Sequence, residues 1–456
     1  MSALTEKGST LWEYLKVSIW FLPVVMSFGA LVLAVVMLEI DVRFGRLPWS
    51  WATVLRIDAA GARQVVAVIT GAMMTITGVV FSVTIVALTL ASNQFGPKVL
   101  RNYLRDTGNK VVLGLFVATF LYGLLILASV DVTHGGFVPL WSMVVCITLT
   151  VLAVGGLIYF IHNISTAIQA DQIIALIGED LNSAIASMLV PLDGNDRDSR
   201  ISDKTASCEQ EWATLHRGLA DTAIRSPTDG YLQTLDYNGL AGFGAEYDCY
   251  FEIDKRAGHF VIEHTTIGRC YSARKVPEET LAQAVARTVI GRQRTPVQDI
   301  EFSIEQLVQI ALRALSPGIN DSLTCVTCVD WLGAALGRMA NCAFQSYCFR
   351  DAEGVLRVVA RGFNFEGAVN AVFDPLRQSA RRNEMVTIRL LETLDQVMGV
   401  AAIPDYCTTL LSQAELIHEA ALESIPGTAD RDVVTRRLER CKRTFVGRKH
   451  ALSGAQ

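Results

Sequence analysis

Two cysteines of the chain, Cys325 and Cys328, have the spacing of redox and zinc-binding motifs. They fall within a predicted helix, and no second Cys-x-x-Cys pair or nearby histidine would complete four zinc ligands. His259 and His264 flank a predicted strand, and their odd spacing places them on opposite faces, where they cannot share a metal. We therefore predict no metal site and interpret the cysteines as small residues of a helix core. Whether the pair has a function stays open at this stage.

A polar turn, Ser316-Pro317-Gly318-Ile319-Asn320-Asp321, is the second candidate. The helix predicted to begin after it offers free backbone N–H groups, which can bind an anion. The Asp321 carboxylate would itself satisfy those groups as an N-cap. We interpret this segment as a structural turn and cap, and a functional carboxylate at Asp321 remains the alternative. The residues concerned are Ser316, Pro317, Gly318, Asn320 and Asp321.

Familiar catalytic signatures are missing from the sequence. It contains no Walker loop, no Gly-x-Ser-x-Gly elbow and no His-Glu-x-x-His motif. We predict no catalytic residues and no cofactor, and we do not expect an enzyme. The composition indicates a membrane protein instead, because 51% of the residues are hydrophobic and the mean hydropathy is +0.34.

Four apolar runs are long enough to cross a bilayer, at about residues 17–38, 65–90, 111–130 and 137–161. They predict an all-α transmembrane domain over 1–162. A helical connector is predicted over 163–192, followed by a polar boundary. No Asp, Glu, Lys or Arg lies within the four runs. This argues against a proton-coupled carrier, which usually needs an ionisable group in the bilayer.

The second run carries small and hydroxyl side chains at helical spacings, which place them on one stripe. Such a stripe has two uses in a membrane. It can line a water-filled path, or it can let helices approach closely. The stripe comprises Gly71, Thr75, Gly78, Ser82, Thr89 and Ser92.

A basic collar follows the second run, formed by Lys98, Arg101 and Arg105 on one helical face. It could line the vestibule of a solute path, or it could anchor the protein to anionic lipid headgroups. Lys and Arg near the spans number six on the side of the termini and four on the other side. This bias predicts both termini in the cytoplasm. The ten cysteines show no tidy disulfide spacing, which is typical of free thiols in a reducing compartment.

The C-terminal half, 205–456, is predicted to be a soluble, cytoplasmic, mainly helical α+β domain. Strands are predicted at 231–236, 248–254, 259–264 and 356–361, and helices dominate from about residue 278. Residues 171–456 hold 30 basic and 38 acidic residues, so they present no nucleic-acid footprint.

Two long runs resemble a bacterial family of predicted membrane proteins classed as a domain of unknown function. They are GAMMTITGVVFSVTIVALTLASNQFGPKVLRNYLRD, from Gly71 to Asp106, and ALRALSPGIND, from Ala311 to Asp321. The resemblance covers nearly the whole chain. It implies a multi-pass protein of the bacterial inner membrane with a soluble C-terminal region, and it brings no activity.

Two functions of different class are compatible with these observations. The first is an oligomeric ion or small-solute channel lined by the second transmembrane helix. The alternative is a non-conducting membrane scaffold or sensor with a cytoplasmic domain. In both, the expected partners are membrane lipids and further copies of the chain.

Overall fold

A computed structural model describes residues 20–44, 59–95, 107–130, 138–167, 169–192, 208, 210–274, 276–344 and 347–453. The chain divides into two compact units, Met1–Ile173 and Ile174–Gln456. The first unit holds the long apolar helices. The second holds the sheets and the remaining helices.

Four helices of the first unit are long and apolar enough to cross a membrane, which confirms the predicted membrane region. Each runs past its apolar run at one end or both, because polar side chains at the end of a spanning helix can reach the interface. The longest, α2, has 37 residues and is therefore roughly 55 Å long, well beyond the ~30 Å of a hydrocarbon core. The bounds are α1 Phe21–Phe44, α2 Ala59–Phe95, α3 Thr107–Ser129 and α4 Leu140–Ala167.

Helix α3 is the one around which the others pack. Half of its most apolar window is buried within the chain, against 17% in each of the other three helices. Its glycines permit the close approach. A Cβ on Gly114 would lie 2.6 Å from the sulfur of Met26 on α1, and one on Gly123 would lie 2.6 Å from the Thr70 Oγ1 on α2.

The four apolar runs contain no acidic or basic residue, but the helices extend beyond these runs and include charged side chains at their ends, which is a correction to the predicted span boundaries. Helix α1 continues to Phe44 and so includes Asp41, which is 3% exposed, and α3 includes Lys110, which is 5% exposed. Both residues lie near helix ends, where a charged group can find a partner or the interface. The uncharged centres of the four spans are unaffected by this correction.

The second unit begins within α5, Ala170–Met188, which falls in the predicted connector. This helix packs on the C-terminal unit, and a Cβ on Gly178 would clash with the ring of Trp331. The next residues, β1 at Val190–Pro191, pair antiparallel with β8 at Cys342–Ala343. Most of the connector is therefore part of the C-terminal unit. The buried face of α5 comprises Ile174, Ile177, Leu181 and Ile185.

A five-stranded mixed sheet has the order β2-β6-β4-β10-β9, with β4 and β10 parallel and the other pairs antiparallel. A three-stranded antiparallel sheet has the order β5-β3-β7. The strands are β2 Ala220–Arg225, β3 Gly230–Leu235, β4 Cys249–Ile253, β5 Phe260–Val261, β6 Thr266–Ser272, β7 Thr288–Gly291, β9 Cys348–Arg350 and β10 Leu356–Ala360.

Helices make up most of the second unit, so the mainly helical α+β class is confirmed. Two of them, α6 at Tyr237–Glu246 and α7 at Glu278–Val285, contribute to the core of the sheets. The others pack together as a bundle after the sheets. They are α8 Ile300–Ala314, α9 Ser322–Met339, α10 Phe365–Ala380, α11 Glu384–Val400, α12 Pro404–Ser424 and α13 Thr428–Ser453.

The interpretation of all ten cysteines as free thiols requires a correction. Cys208 and Cys348 form a disulfide between residues 140 apart in sequence. Spacing along the chain could not indicate this pair, because the fold brings Cys208 to the edge strand β9. The other eight cysteines are free and buried.

Candidate functional site

The predicted stripe lies on the outer face of α2. We use the name α2 stripe for its five members whose side chains are described: Gly71, Thr75, Gly78, Ser82 and Thr89. All five are exposed, and a Cβ on either glycine would meet no atom within 4 Å. The opposite face of α2 is buried against the other helices, through Ala62, Val66, Met73, Val80 and Ala87. Among the residues that the structure describes, the stripe therefore packs against no other helix of the same chain.

The hydroxyl groups of the α2 stripe are partly satisfied by their own helix. Thr75 Oγ1 donates to the Gly71 carbonyl at 3.1 Å, and Thr89 Oγ1 donates to the Ile85 carbonyl at 2.8 Å. Large apolar side chains flank these hydroxyl groups on the same exposed surface. They are Val79, Val83, Ile85 and Val86. The outer surface of α2 is thus mainly apolar, with a narrow track of small residues.

The last residue of the predicted stripe and the whole basic collar cannot be placed. Ser92 lies in α2, but its side chain is not described. Lys98, Arg101 and Arg105 lie outside the described residues. The basic collar therefore keeps its two interpretations, as vestibule or lipid anchor.

A buried carboxylate that sequence reasoning missed joins α1 to α4. Asp41 Oδ1 accepts a hydrogen bond from Trp141 N at 2.8 Å. Its Oδ2 accepts from Ser142 N at 2.9 Å and from Ser142 Oγ at 2.6 Å. Asp41 therefore caps the first turn of α4 from another helix, where its charge also complements the helix dipole. The Tyr122 hydroxyl donates to the Ser142 carbonyl at 3.1 Å, which ties α3 to the same point.

The polar turn is a helix–helix connection on the surface. Asn320 adopts a left-handed conformation with φ of +49°, and Asp321 N donates to the Ala314 carbonyl at 2.8 Å. Asp321 caps α9 by accepting from Thr324 N at 3.1 Å and from Thr324 Oγ1 at 2.6 Å. The bond from the Thr324 hydroxyl holds the pKa of Asp321 below its usual range. Ser316 Oγ, in turn, donates to the Arg313 carbonyl at 2.6 Å.

The cysteine and histidine candidates do not come together into one site. Cys325 and Cys328 are fully buried in α9, and burial raises the pKa of Cys325 to about 12, which makes its thiol unreactive. His259 is half-buried beside Arg256, whereas His264 is exposed. Among the described residues no group of three or more His, Cys, Asp and Glu is placed to hold a metal.

A cleft of about 540 Å³ opens in the C-terminal unit between the three-stranded sheet and the edge strand β9 of the larger sheet. We refer to it as the cleft. Helices α6 and α8 both begin at its wall, capped by Asp236 and Asp299, respectively. The Gln298 side chain closes the wall by bonding to both backbone polar groups of Leu235. Cavities of 300–1,000 Å³ are typical of small-molecule sites.

The charged groups around the cleft are mostly paired. Arg256 lies 2.6 Å from Glu301, and burial raises the pKa of this carboxyl in spite of the pair. Asp299 receives two hydrogen bonds from Arg294, at 2.8 and 3.0 Å. Burial, followed by the charge of Arg256, lowers the pKa of His259, so its imidazole is neutral at physiological pH.

Arg287 is the exception among these charges. Its Nε is buried and has no hydrogen-bond partner in the described part of the chain. Its guanidinium carbon lies 5.7 Å from the centre of the Phe243 ring, which supports the group through a cation–π contact. The residue lines the cleft directly before β7.

Aromatic rings form another wall of the cleft. Tyr237 and Phe349 stack with ring centres 4.6 Å apart and planes within 6°, and the Tyr347 ring meets Tyr237 edge-on at 6.3 Å. The Tyr347 ring packs against Gly362, where any Cβ would clash with it. Burial raises the pKa of Tyr237 and of Tyr347, so both phenols stay protonated.

Sequence reasoning identified none of the cleft residues as a site. They come from segments more than 100 residues apart, from Ser187 to Phe363, and no short motif links them. For Asp41 the sequence offered one weak indication. It is an acidic residue three positions after the first apolar run, and in a four-span topology the end of that run lies on the same side of the membrane as the start of the fourth run. The partner could only be found in the fold.

Comparison with known proteins gives a family and relatives without a named activity. The family model described as predicted membrane protein (DUF2254) matches residues 16–396. The uncharacterized protein Rv1290c of Mycobacterium tuberculosis is 28% identical over 443 residues, which span 95% of this chain and 82% of the relative. The uncharacterized protein Mb1321c of Mycobacterium bovis matches with the same identity and the same coverage. No solved structure matches the chain.

Proposed function

This chain belongs to the family of predicted membrane proteins (DUF2254), and on that premise we propose a homo-oligomeric membrane scaffold with a sensor domain. In this proposal the subunits associate through the α2 stripe. The C-terminal domain lies on the cytoplasmic side and responds to a ligand in the cleft. The observation that carries the proposal is the outward orientation of the α2 stripe, which none of the helices in the described part of the chain covers.

Small residues support association because they allow two helix backbones to approach closely. In lipid, helices are held together by van der Waals packing and interhelical hydrogen bonds, and small residues at spacings of four and seven favour both. The same chain already packs α3 in this way through Gly114 and Gly123. Gly71 and Gly78 offer the same opportunity to the α2 of another subunit, and a closed symmetric assembly brings the same stripe together from each copy.

We favour a scaffold over a channel because of the state of the α2 stripe. Two of its hydroxyls, those of Thr75 and Thr89, already donate to backbone carbonyls of α2. The flanking side chains are valine and isoleucine, which suit a helix contact or lipid better than water. A channel lined by α2 remains the second candidate, since the same stripe could face a central axis.

The proposed orientation rests on the distribution of Lys and Arg around the spans. The Cys208–Cys348 disulfide counts against it, because stable disulfides are rare in the cytoplasm. Cytoplasmic disulfides that do occur are usually transient and either catalytic or redox-sensing, and the second role would suit a sensor domain.

Measuring the mass of the purified protein in detergent and in nanodiscs tests the assembly. We expect an oligomer for the wild type and dissociation for the double variant Gly71→Leu, Gly78→Leu, because leucine would separate the backbones. Gly155→Leu is the matched control, since Gly155 is an exposed glycine of α4 with no atom within 4 Å of an added Cβ. A monomeric wild type would refute the proposal, and so would an oligomer that the double variant leaves intact.

Ion flux into liposomes separates a scaffold from a channel. We expect no flux from the assembled wild type over a range of voltages and membrane tensions. Flux that changes with Ser82→Ala or Thr75→Val would show that the α2 stripe lines a conducting path instead.

A further inference from the structure

The cleft has the size and the composition of a binding site for an organic molecule. Its volume of about 540 Å³ suits a ligand the size of a mononucleotide. Its walls combine stacked aromatic rings with a few charged groups, the combination that orients a small molecule in a protein. The charges and the rings of these walls decide which ligand the cleft can accept.

The carboxylates of the cleft are already engaged. Glu301 is held by Arg256 at 2.6 Å, and Asp299 by Arg294 at 2.8 Å. Asp236 accepts from the Gly239 amide at 2.8 Å as the cap of α6. A cationic ligand would therefore compete with existing partners at each of these positions. The same caps also occupy the N-termini of α6 and α8, so the helix ends themselves are not the anion site.

Arg287, by contrast, has bonding capacity left. A guanidinium carries five N–H donors. The Nε of Arg287 is buried at the Phe243 ring without a hydrogen-bond partner in the described part of the chain. Its Nη1 lies near the Asp236 side chain, since a Cβ on Gly239 would approach both groups. Because the Arg287 side chain lines the cleft, its other N–H donors can bind an acceptor that enters the cleft. An anion would gain most from these donors, because hydrogen bonds between charged groups are the stronger ones.

The aromatic wall specifies the rest of the ligand. Tyr237 and Phe349 lie parallel at 4.6 Å, and Tyr347 stands at their edge. A planar ring can extend such a stack, whereas a branched aliphatic group would leave gaps against it. Ring-bearing ligands therefore gain more from this wall than sugars or simple acids.

We propose that the cleft binds a planar aromatic or heteroaromatic anion, with its anionic group on Arg287 and its ring against Tyr237, Tyr347 and Phe349. This inference rests on the proposed sensor role of the C-terminal domain and names the class of its ligand. The anionic group can be a phosphate, as in a mononucleotide, or a carboxylate on an aromatic ring.

Calorimetric titration of the full-length protein in nanodiscs tests this assignment. The probes are adenosine and uridine 5′-monophosphate, naphthalene-2-carboxylate, neutral adenosine and ribose 5-phosphate. We expect at least one ringed anion to bind, with adenosine and ribose 5-phosphate each at least tenfold weaker than the nucleotides if the anion is a phosphate. Binding of the naphthalene acid alone would assign a carboxylate.

Two matched pairs of variants place the ligand. Arg287→Gln should weaken binding roughly tenfold to a hundredfold, because the charge-assisted hydrogen bond to the ligand is lost. Arg287→Lys should weaken binding less, because lysine keeps the positive charge. Arg292→Gln, at an exposed arginine outside the cleft, should change nothing. Phe349→Leu should also weaken binding, whereas Phe260→Leu, at an exposed ring on β5, should not.

Three results would overturn the assignment. They are the absence of binding by every ringed anion, equal binding of neutral adenosine, and unchanged binding by both Arg287 variants. Thermal unfolding of each variant excludes misfolding as the cause of a loss. Oligomeric mass is measured on the same samples, so a failure of assembly is distinguished from a failure of ligand binding.

Discussion

Asp41 shows how one residue can connect two membrane helices. Its carboxylate receives three hydrogen bonds from the first turn of α4, although it belongs to the last turns of α1. From the sequence alone, Asp41 is one of several charged residues that follow the first apolar run. Only the fold shows that it lies against Ser142, 101 residues away.

We predict that Asp41→Asn destabilises the membrane unit. Asparagine keeps one acceptor oxygen but places an NH2 group against a donor, so at least one charge-assisted bond is lost. The free energy of unfolding should fall by roughly 1.5–3 kcal/mol, measured by denaturation in detergent. Glu39→Gln is the control, because its exposed i,i+4 pair with Arg43 should contribute less than about 1 kcal/mol. Equal effects of the two substitutions would contradict the assigned role of Asp41.

Asp321 gives a second residue-scale prediction. Asp321→Ala should cost about 1 kcal/mol of stability, while Asp321→Asn should be nearly neutral, because asparagine caps as well. The pKa of Asp321 is lower in the folded protein than its unfolded value of about 3.9. Its contribution is therefore present above about pH 4 and is lost as the pH falls through the folded pKa. Chemical denaturation of the wild type and of both variants from pH 7 to pH 3 measures this, because the difference in stability between wild type and Asp321→Ala should shrink as the carboxylate is protonated. A large loss in Asp321→Asn at pH 7 would indicate a role beyond capping.

At the scale of elements, hydropathy and periodicity carried much of the prediction. The apolar runs locate all four membrane helices, and the predicted strand 231–236 matches β3 at Gly230–Leu235. Strands β2, β6, β7 and β9 were missed, and so was the short pair β1 and β8. Their burial depends on partners elsewhere in the sheet, as in β7, where the pattern along Thr288–Gly291 does not alternate. Long apolar helices can be predicted from the hydropathy of their own residues, whereas the formation of a short strand depends on the strands that pair with it.

The C-terminal unit should fold alone only if it includes α5. A fragment of residues 170–456 should give a cooperative thermal transition. A fragment of residues 205–456 lacks the apolar face of α5 and the β1–β8 pair, and burial of each isoleucine or leucine there contributes about 1.5–3 kcal/mol. We expect the shorter fragment to melt at a lower temperature or to be insoluble. Equal melting of the two fragments would show that α5 is dispensable, as the sequence-based boundary at residue 205 implied.

At the scale of the whole molecule, the sequence indicates a membrane region followed by an α+β domain, and this arrangement is confirmed. The cleft could not be predicted, because residues such as Arg256, Arg287 and Phe363 meet only when sheets and helices pack. The disulfide of Cys208 was missed for the same reason. What sequence conveys well is the preference of each segment for lipid or water; what it conveys poorly is which distant segments meet.

The orientation of the molecule is testable in intact cells. We predict that a membrane-impermeant thiol reagent does not label Ala451→Cys, an exposed position near the end of α13, until the cells are lysed. The eight free native cysteines are buried, so background labelling should be low. Labelling without lysis would place the C-terminal domain outside the cytoplasm, where a stable Cys208–Cys348 disulfide would be expected.

Disulfide cross-linking in native membranes tests assembly through the α2 stripe most directly. Single cysteines are introduced at Ser82 on the α2 stripe and at Gly155 on the outer face of α4, and the membranes are treated with copper phenanthroline. The native Cys146 of the membrane unit is buried and should not react. The proposed assembly predicts covalent dimers from Ser82→Cys and few or none from Gly155→Cys. Equal cross-linking at both positions, or none at Ser82→Cys, would contradict association through the α2 stripe.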